Sequence, residues 1–252
     1  MPMRSVLVMA VPALAAPALL WPGVAVGQTA ADSGKPSGWK TEAELGQSSA
    51  SGNTESSTVT GRIASDWTGG KTTLHLLAEG RYAEDQGETT ARRLHGTSQV
   101  DYRLRPRIYA FGVIEATSDR FAGFDLRLQE AVGIGRRMLL HRKDMEWRLE
   151  AGPALRQEWL VDDTYDKSVN VRARTLYRWE FAEESAFSEE LIWTQSVEDA
   201  DEYLVMNETA LTFRLNVRVA LRASVRVEHD SQPPVDAERT DVFTATTVLV
   251  SF

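Results

Sequence analysis

Apolar and polar residues alternate through the chain from Trp39 to Phe252, and this restricts the fold more than any other feature. Trp39, Thr41, Ala43 and Leu45 alternate with Lys40, Glu42 and Glu44. Val59, Gly61, Ile63, Ser65 and Trp67 alternate with Thr60, Arg62, Ala64 and Asp66. The same period marks Val169 to Phe181 and Val217 to Val227. Successive side chains of a strand point to opposite faces, so each run reads as a strand with one apolar and one polar side. The pattern predicts twelve strands, near 39–48, 56–68, 72–83, 92–104, 107–118, 124–138, 145–157, 169–181, 186–196, 203–215, 217–229 and 240–252. Either face of 108–116 could be the apolar one, and Glu130 falls in an otherwise apolar row. A soluble strand runs to roughly 5–6 residues. A tilted membrane strand needs about 9–11, which is the length seen here. The expected fold is all-β: a transmembrane antiparallel up-and-down β-barrel of about twelve strands. The rival is a soluble secreted β-sandwich acting as a binding module.

The connections sort by length. Ser48–Glu55, Glu84–Ala91, Asp119–Gly123, Glu158–Ser168, Val197–Glu202 and Asp230–Arg239 are mostly long and polar. Thr68–Lys71, Arg105–Pro106, Leu139–Asp144, Ala182–Ser185 and the junction at Asn216 are tight. Outer-membrane barrels have short periplasmic turns and longer external loops. An even strand count then puts both termini on the periplasmic side. Aromatic residues follow the same geometry. Trp39, Trp67, Tyr102, Tyr109, Trp147, Trp179 and Phe252 fall near short-turn ends, and Tyr82, Phe121, Phe124, Trp159, Trp193 and Tyr203 near the other. Such rings are expected as girdles at the two membrane interfaces; an ordinary aromatic core would scatter them along the strands. The terminal strand ends in Phe252, which resembles the signal read by barrel-insertion machinery.

Residues 1–27 read as a signal peptide: Arg4, an apolar stretch from Val6 to Leu20, then Ala25-Val26-Gly27. The alternative, a membrane anchor, is weakened by Pro12, Pro17 and Pro22. Residues 28–38 read as a flexible periplasmic leader, and 39–252 as the barrel. The whole chain has 28 basic and 36 acidic residues, and removing 1–27 leaves 27 against 36. That excess of acid argues against a nucleic-acid partner. With no cysteine there is no thiol catalysis and no thiolate metal site. No cofactor and no metal is expected. Acidic loops such as Glu84-Asp85, Asp162-Asp163 and Glu198-Asp199 lack the spacing of a defined calcium loop.

The mature chain resembles the salt-induced outer membrane protein family, also called domain of unknown function 481. The resemblance rests on Gly52-Asn53-Thr54, Asp119-Arg120-Phe121-Ala122-Gly123, Gly133-Ile134-Gly135, Glu150-Ala151-Gly152-Pro153, Gln232-Pro233-Pro234 and the strand from Asp241 to Phe252. It implies a barrel in the outer membrane of a Gram-negative bacterium, with lipids and lipopolysaccharide as its surroundings. It carries over no catalytic residue.

The inward rows are rich in charge. Arg62, Arg81, Arg103, Arg148, Arg172, Arg174, Arg178, Arg218, Arg222 and Arg226, with Glu79 and Glu150, are expected to line the lumen. One outcome is mutual pairing that fills a narrow interior, since buried ions must be paired or solvated. The other is a narrow, anion-leaning channel for small solutes. Either fits a role in the envelope or under osmotic stress. The remaining rival is an outer-membrane lipid hydrolase. Its candidates are His75, His95, His141 and His229, the last beside Asp230 and Ser231. A working triad needs these groups to converge in space.

Overall fold

The computed structural model describes residues 38–50, 56–139, 141–182, 185–234 and 237–252. The signal peptide, nearly all of the leader and the Gly52-Asn53-Thr54 motif lie outside them. Twelve strands form one closed antiparallel barrel in which each pairs with its sequence neighbours and the first meets the last. They are β1 (Gly38–Ala50), β2 (Ser56–Gly69), β3 (Thr72–Asp85), β4 (Glu88–Arg105), β5 (Ile108–Asp119), β6 (Phe124–Arg137), β7 (Met145–Leu160), β8 (Tyr165–Ala182), β9 (Ser185–Ser196), β10 (Tyr203–Arg214), β11 (Val219–Asp230) and β12 (Thr240–Ser251). Closure leaves no sandwich of two open sheets, so that rival falls. β1 starts and β12 ends at the same end of the barrel as the tight turns, here called the basal end. The opposite end is distal.

Register puts the alternation to work. Trp39 faces Trp67, Ala43 faces Ile63 and Leu45 faces Gly61 on the outer surface, while Glu44 faces Arg62 inside. Leu45, Ile63, Leu94, Val132, Ile134 and Val242 remain exposed on the outside. A barrel turns its apolar row outward only where the surroundings are themselves apolar.

At the distal end the ladders run further than the hydropathy suggested. Residues 84–91 are not a loop: β3 and β4 continue to a two-residue turn at Gln86 and Gly87, both at positive φ, 51° and 81°. Likewise β7 and β8 extend to Leu160 and from Tyr165. At the β3–β4 turn the outer row turns polar while backbone pairing persists, and at the β7–β8 turn Trp159 and Tyr165 pair on the outer face. The β5–β6 connection closes on a 3₁₀ turn, Arg120–Ala122, whose Phe121 and Ala122 N–H groups donate to Asp119 Oδ1.

The ambiguous strand resolves in an inverted sense. On β5 the inward row is Tyr109, Phe111 and Val113, which cluster with Ala131 and Ala154. Tyr109 faces Gly135 and Phe111 faces Gly133 across the β5–β6 ladder. A Cβ at Gly135 would stand 2.2 Å from the Tyr109 ring, and one at Gly133 2.8 Å from the Phe111 ring. The Gly133-Ile134-Gly135 motif is therefore a seat for two aromatic rings on the inner wall. Glu130 consequently points outward, exposed, between Ile114 and Leu155. The β6–β7 ladder tightens next to it. There a Cβ at Gly152 would meet the Val132 carbonyl oxygen at 1.9 Å.

The closing joint differs from the others. β1 registers with β12 over Glu42–Leu45 against Val248–Ser251, with Thr41 and Phe252 exchanging backbone hydrogen bonds at the basal end, whereas β1 meets β2 along its full length.

Replacing Gly152 with Ala is expected to destabilise the barrel by about 1–3 kcal/mol, the usual cost of forcing a methyl group into a filled space. Urea unfolding of micelle-refolded protein, followed by tryptophan fluorescence, measures it. An unchanged midpoint would mean the two backbones are not in contact there.

Candidate functional site

The lumen is the candidate site. Its inward rows bring charges from distant strands together and brace the barrel across its width. At the basal end, Asp66 Oδ1 and His75 Nδ1 lie 2.6 Å apart, and His75 Nε2 is 3.5 Å from Asp101. Arg148 reaches Glu146 at 2.6 Å and Asp101 at 3.6 Å. Midway, Glu150 is the hub. Its side chain is 1% exposed and accepts from Tyr109 Oη at 2.7 Å, Gln99 Nε2 at 3.1 Å and Arg174 Nη1 at 3.3 Å. Arg174 also donates to Glu190 at 2.6 Å, and the buried Arg172 donates to Glu115 at 2.7 Å.

A second network lines the wall nearer the closing joint. Arg62 donates to Glu44 at 2.7 Å, and the Thr247 hydroxyl donates to the other Glu44 oxygen at 3.0 Å. Arg222 pairs with Glu208, and Arg226 joins Glu208 to Glu79. Distally, Arg93 grips Glu228 through two hydrogen bonds of 2.8 and 2.9 Å. Arg127 pairs with Glu158 and, at 3.0 Å, with Asp230. Arg156 pairs with Glu202. Several bridges link strands on opposite walls, β4 with β11 and β6 with β11 among them. Each guanidinium can supply several donors, so a few arginines tie many carboxylates.

The distal mouth is narrowed by the β11–β12 connection. It crosses to the opposite wall, where Gly123, at φ 87°, would place a Cβ 2.6 Å from Pro234 Cβ. Gln232 Nε2 donates to Asp199 Oδ2 at 2.9 Å, tying the same connection to the β9–β10 loop. Two motifs far apart in sequence, Asp119–Gly123 and Gln232-Pro233-Pro234, thus meet in space.

Most of the expected lumen residues lie on the inner wall. Arg62, Arg172, Arg174, Arg222, Arg226, Glu79 and Glu150 occupy its middle, Arg81 stands toward the distal end and Arg148 toward the basal end, and Arg178 sits at the basal rim, paired with Glu180 at 3.5 Å. Arg103 is also at that rim, donating to the Gly70 carbonyl at 3.4 Å. Arg218 is a correction: β11 starts at Val219, and Arg218 stands exposed in the turn that Asn216 closes with two hydrogen bonds. Trp39, Trp67, Tyr102, Trp147, Trp179 and Phe252 lie on the outer face at the basal end. Tyr109 does not: it is 2% exposed and points inward to Glu150. Phe124 is likewise buried, with the Arg127 guanidinium 4.3 Å from its ring centre. Sequence reasoning missed Arg127, Arg156, Glu158, Glu190 and Glu208. The ladder from Arg174 would have found Glu190, since both lie on inward rows of adjacent strands. Arg127 stayed hidden while the phase of β6 was open.

The hydrolase candidates do not assemble. His229 faces outward and shares a 2.8 Å hydrogen bond with Thr240. Asp230 points inward to Arg127, and the Ser231 hydroxyl accepts from the Tyr203 N–H. His95 lies between the hydroxyls of Thr117 and Thr97. His141 is exposed in a basal turn beside Arg107. Among the described residues no group of three or more acidic or histidine side chains is arranged to hold a metal ion.

Two outcomes follow. Glu150→Gln should cost about 3 kcal/mol, because it removes a buried charge that Arg174 shares with Glu190 and leaves that guanidinium under-compensated; a drop in urea midpoint of refolded protein reports it, and an unchanged midpoint would show the hub to be solvated. The second concerns Asp199 in its distal loop. Hydrogen bonds from Gln232 and from the Asp201 N–H hold its carboxyl below the ordinary value of 3.8. A depressed folded value means the contact is fully present above the unfolded value and lost as pH falls through the folded one. Slow exchange of the Asp201 amide at neutral pH should therefore give way to fast exchange only below about pH 4, beyond the change in intrinsic rate. Loss of protection well above that pH would refute it.

The protein is similar to several known ones. The Escherichia coli (strain K12) protein YdiY, itself uncharacterised, is 26% identical over 192 residues, covering 76% of this chain and 74% of that one. The COG4313 outer membrane channel from Pseudomonas putida F1 superposes with a TM-score of 0.55 at 12% identity, over 87% of this chain and 97% of that one. The translocator domain of the autotransporter NalP from Neisseria meningitidis gives a TM-score of 0.50 at 9% identity, over 86% and 89%. These likenesses are of fold: both are barrels of the outer-membrane kind. The model described as "Protein of unknown function, DUF481" matches residues 43–252, and the chain belongs to that family.

Proposed function

We propose that this protein is a passive channel in the outer membrane of a Gram-negative bacterium, passing small polar solutes through a narrow, charge-lined lumen. One observation carries the reading. A single cavity of about 450 Å³ is bounded by Glu42, Asp66 and Glu146 at the basal end and by Pro233, Glu238 and Arg239 at the distal end. Its lining runs the length of the barrel. The mixed wall of arginine and carboxylate favours hydrated, polar solutes over apolar ones. Because most arginines are already paired, anion preference is weak along most of the path.

The basal end, with its tight turns and both strand termini, is the periplasmic side. The outer face contacts lipid and lipopolysaccharide, and the strand ending at Phe252 is what the insertion machinery reads. Residues 1–27 direct export and are removed, leaving a periplasmic leader before β1. The physiological setting is envelope maintenance or osmotic stress, as the family resemblance implies. The similar fold of an outer membrane channel supports permeation over catalysis.

Refolded barrel in planar bilayers is expected to give discrete single-channel steps. Gly123→Ala should raise their size, since a methyl group there pushes Pro234 off the opposite wall. Protein that is folded by heat-modifiable gel mobility yet passes no current would overturn the channel reading.

A further inference from the structure

The two arginines Arg81 and Arg93 face each other directly across the β3–β4 ladder. Like charges placed opposite one another repel, so the pairing requires a compensating group. Arg93 has one in Glu228. Arg81 makes no ion pair among the described residues, and its Nε is buried without a hydrogen-bond partner. Both guanidinium carbons lie near the inward-facing ring of Phe243, 4.9 and 5.5 Å from its centre. The ring face offers cation–π attraction but no hydrogen-bond acceptor.

Asp119 and Asp241 are the carboxylates nearest Arg81, and neither forms an ion pair with it among the described residues. Asp119 caps the 3₁₀ turn through Phe121 and Ala122 and stands 3.8 Å from Arg93. Asp241, two residues before Phe243 on the same inward row, forms no ion pair among the described residues. Beside Arg81 is a second cavity of about 100 Å³, lined by five arginines and three glutamates. Four of these arginines pair with Glu44, Glu79, Glu208 or Glu228, which leaves Arg81 as the one without an ion pair among the described residues. A water molecule takes up about 30 Å³, so the space suits an occupant of only a few heavy atoms.

We infer that Arg81, Arg93 and Phe243 form a binding site for a small dissolved oxyanion, a short carboxylate or inorganic phosphate, in the distal half of the lumen. The anion completes what Arg81 lacks. Its oxygens accept from a guanidinium whose fork matches such planar or tetrahedral groups. The proposal deepens the channel reading by naming a solute class, yet binding is measurable without any current.

Acetate and phosphate are titrated separately into refolded barrel in detergent and followed by calorimetry, for the parent, Arg81→Gln and Phe243→Leu. Folding of each is checked by gel mobility. The parent should bind at least one of the two anions saturably. Arg81→Gln should weaken that binding about tenfold, as expected for one charge-assisted hydrogen bond. Phe243→Leu keeps the apolar volume while removing the ring, and should weaken it less. The site is refuted if the parent binds neither anion, or if folded Arg81→Gln binds as the parent does. A barrel that binds but does not conduct loses the channel and keeps the site. One that conducts with unaltered binding in Arg81→Gln loses the site and keeps the channel.

Discussion

An arginine on the wall of a narrow barrel meets little water, and most of these charges are met by the wall opposite or beside them. That requirement organises the interior. Glu150, itself almost inaccessible, gathers Tyr109, Gln99 and Arg174 from three different strands. Arg226 does the converse, drawing Glu79 and Glu208 together from strands on either side of the closing joint. A pair offsets the desolvation of its members best where further hydrogen bonds occupy the remaining lone pairs, as they do at Glu150. The result is a lumen whose polarity comes from neutralised pairs and whose width is held by them.

Much of this was legible in the sequence. The two-residue period is a direct consequence of strand geometry, so the strands and their limits could be read to within a few residues over most of the chain. The misplacement of Tyr109 has its cause in a phase that hydropathy could not settle. On β5 the aromatic row faces inward because Gly133 and Gly135 make room for it, and nothing in the local pattern of β5 reveals what its neighbour lacks. Tyr109 was therefore assigned to the wrong surface, whereas Glu130 does stand outward in its apolar row, as the alternation had it. Arg218 failed for a different reason. The turn closed by Asn216 starts the strand at Val219, two residues later than the alternation suggested, which leaves Arg218 outside it. The polar stretches 84–91 and 158–168 read as loops because hydropathy tracks the surroundings, whereas pairing tracks the backbone.

Motif residues scattered through the sequence make sense once the barrel is closed. Asp119 shapes a 3₁₀ turn, Gly123 supplies the left-handed residue that ends it, and Pro234 arrives from the far wall to lie on that glycine. The three have no relation along the chain. They are related by the circumference, since the β5–β6 and β11–β12 connections stand opposite each other in the ring of strands. The distal mouth is narrowed by this contact, and no single segment could have shown it.

The short register between β1 and β12 has a mechanical meaning. Backbone hydrogen bonds carry the hoop tension of a closed sheet, and here one joint has far fewer of them than its neighbours. Lateral pressure that squeezes the cylinder out of round must concentrate at that joint. Glu44, clasped by Arg62 and by Thr247 across it, acts as a rivet on the inner side. The joint between first and last strand is thus fastened by a short ladder and by one carboxylate that accepts a hydrogen bond across it.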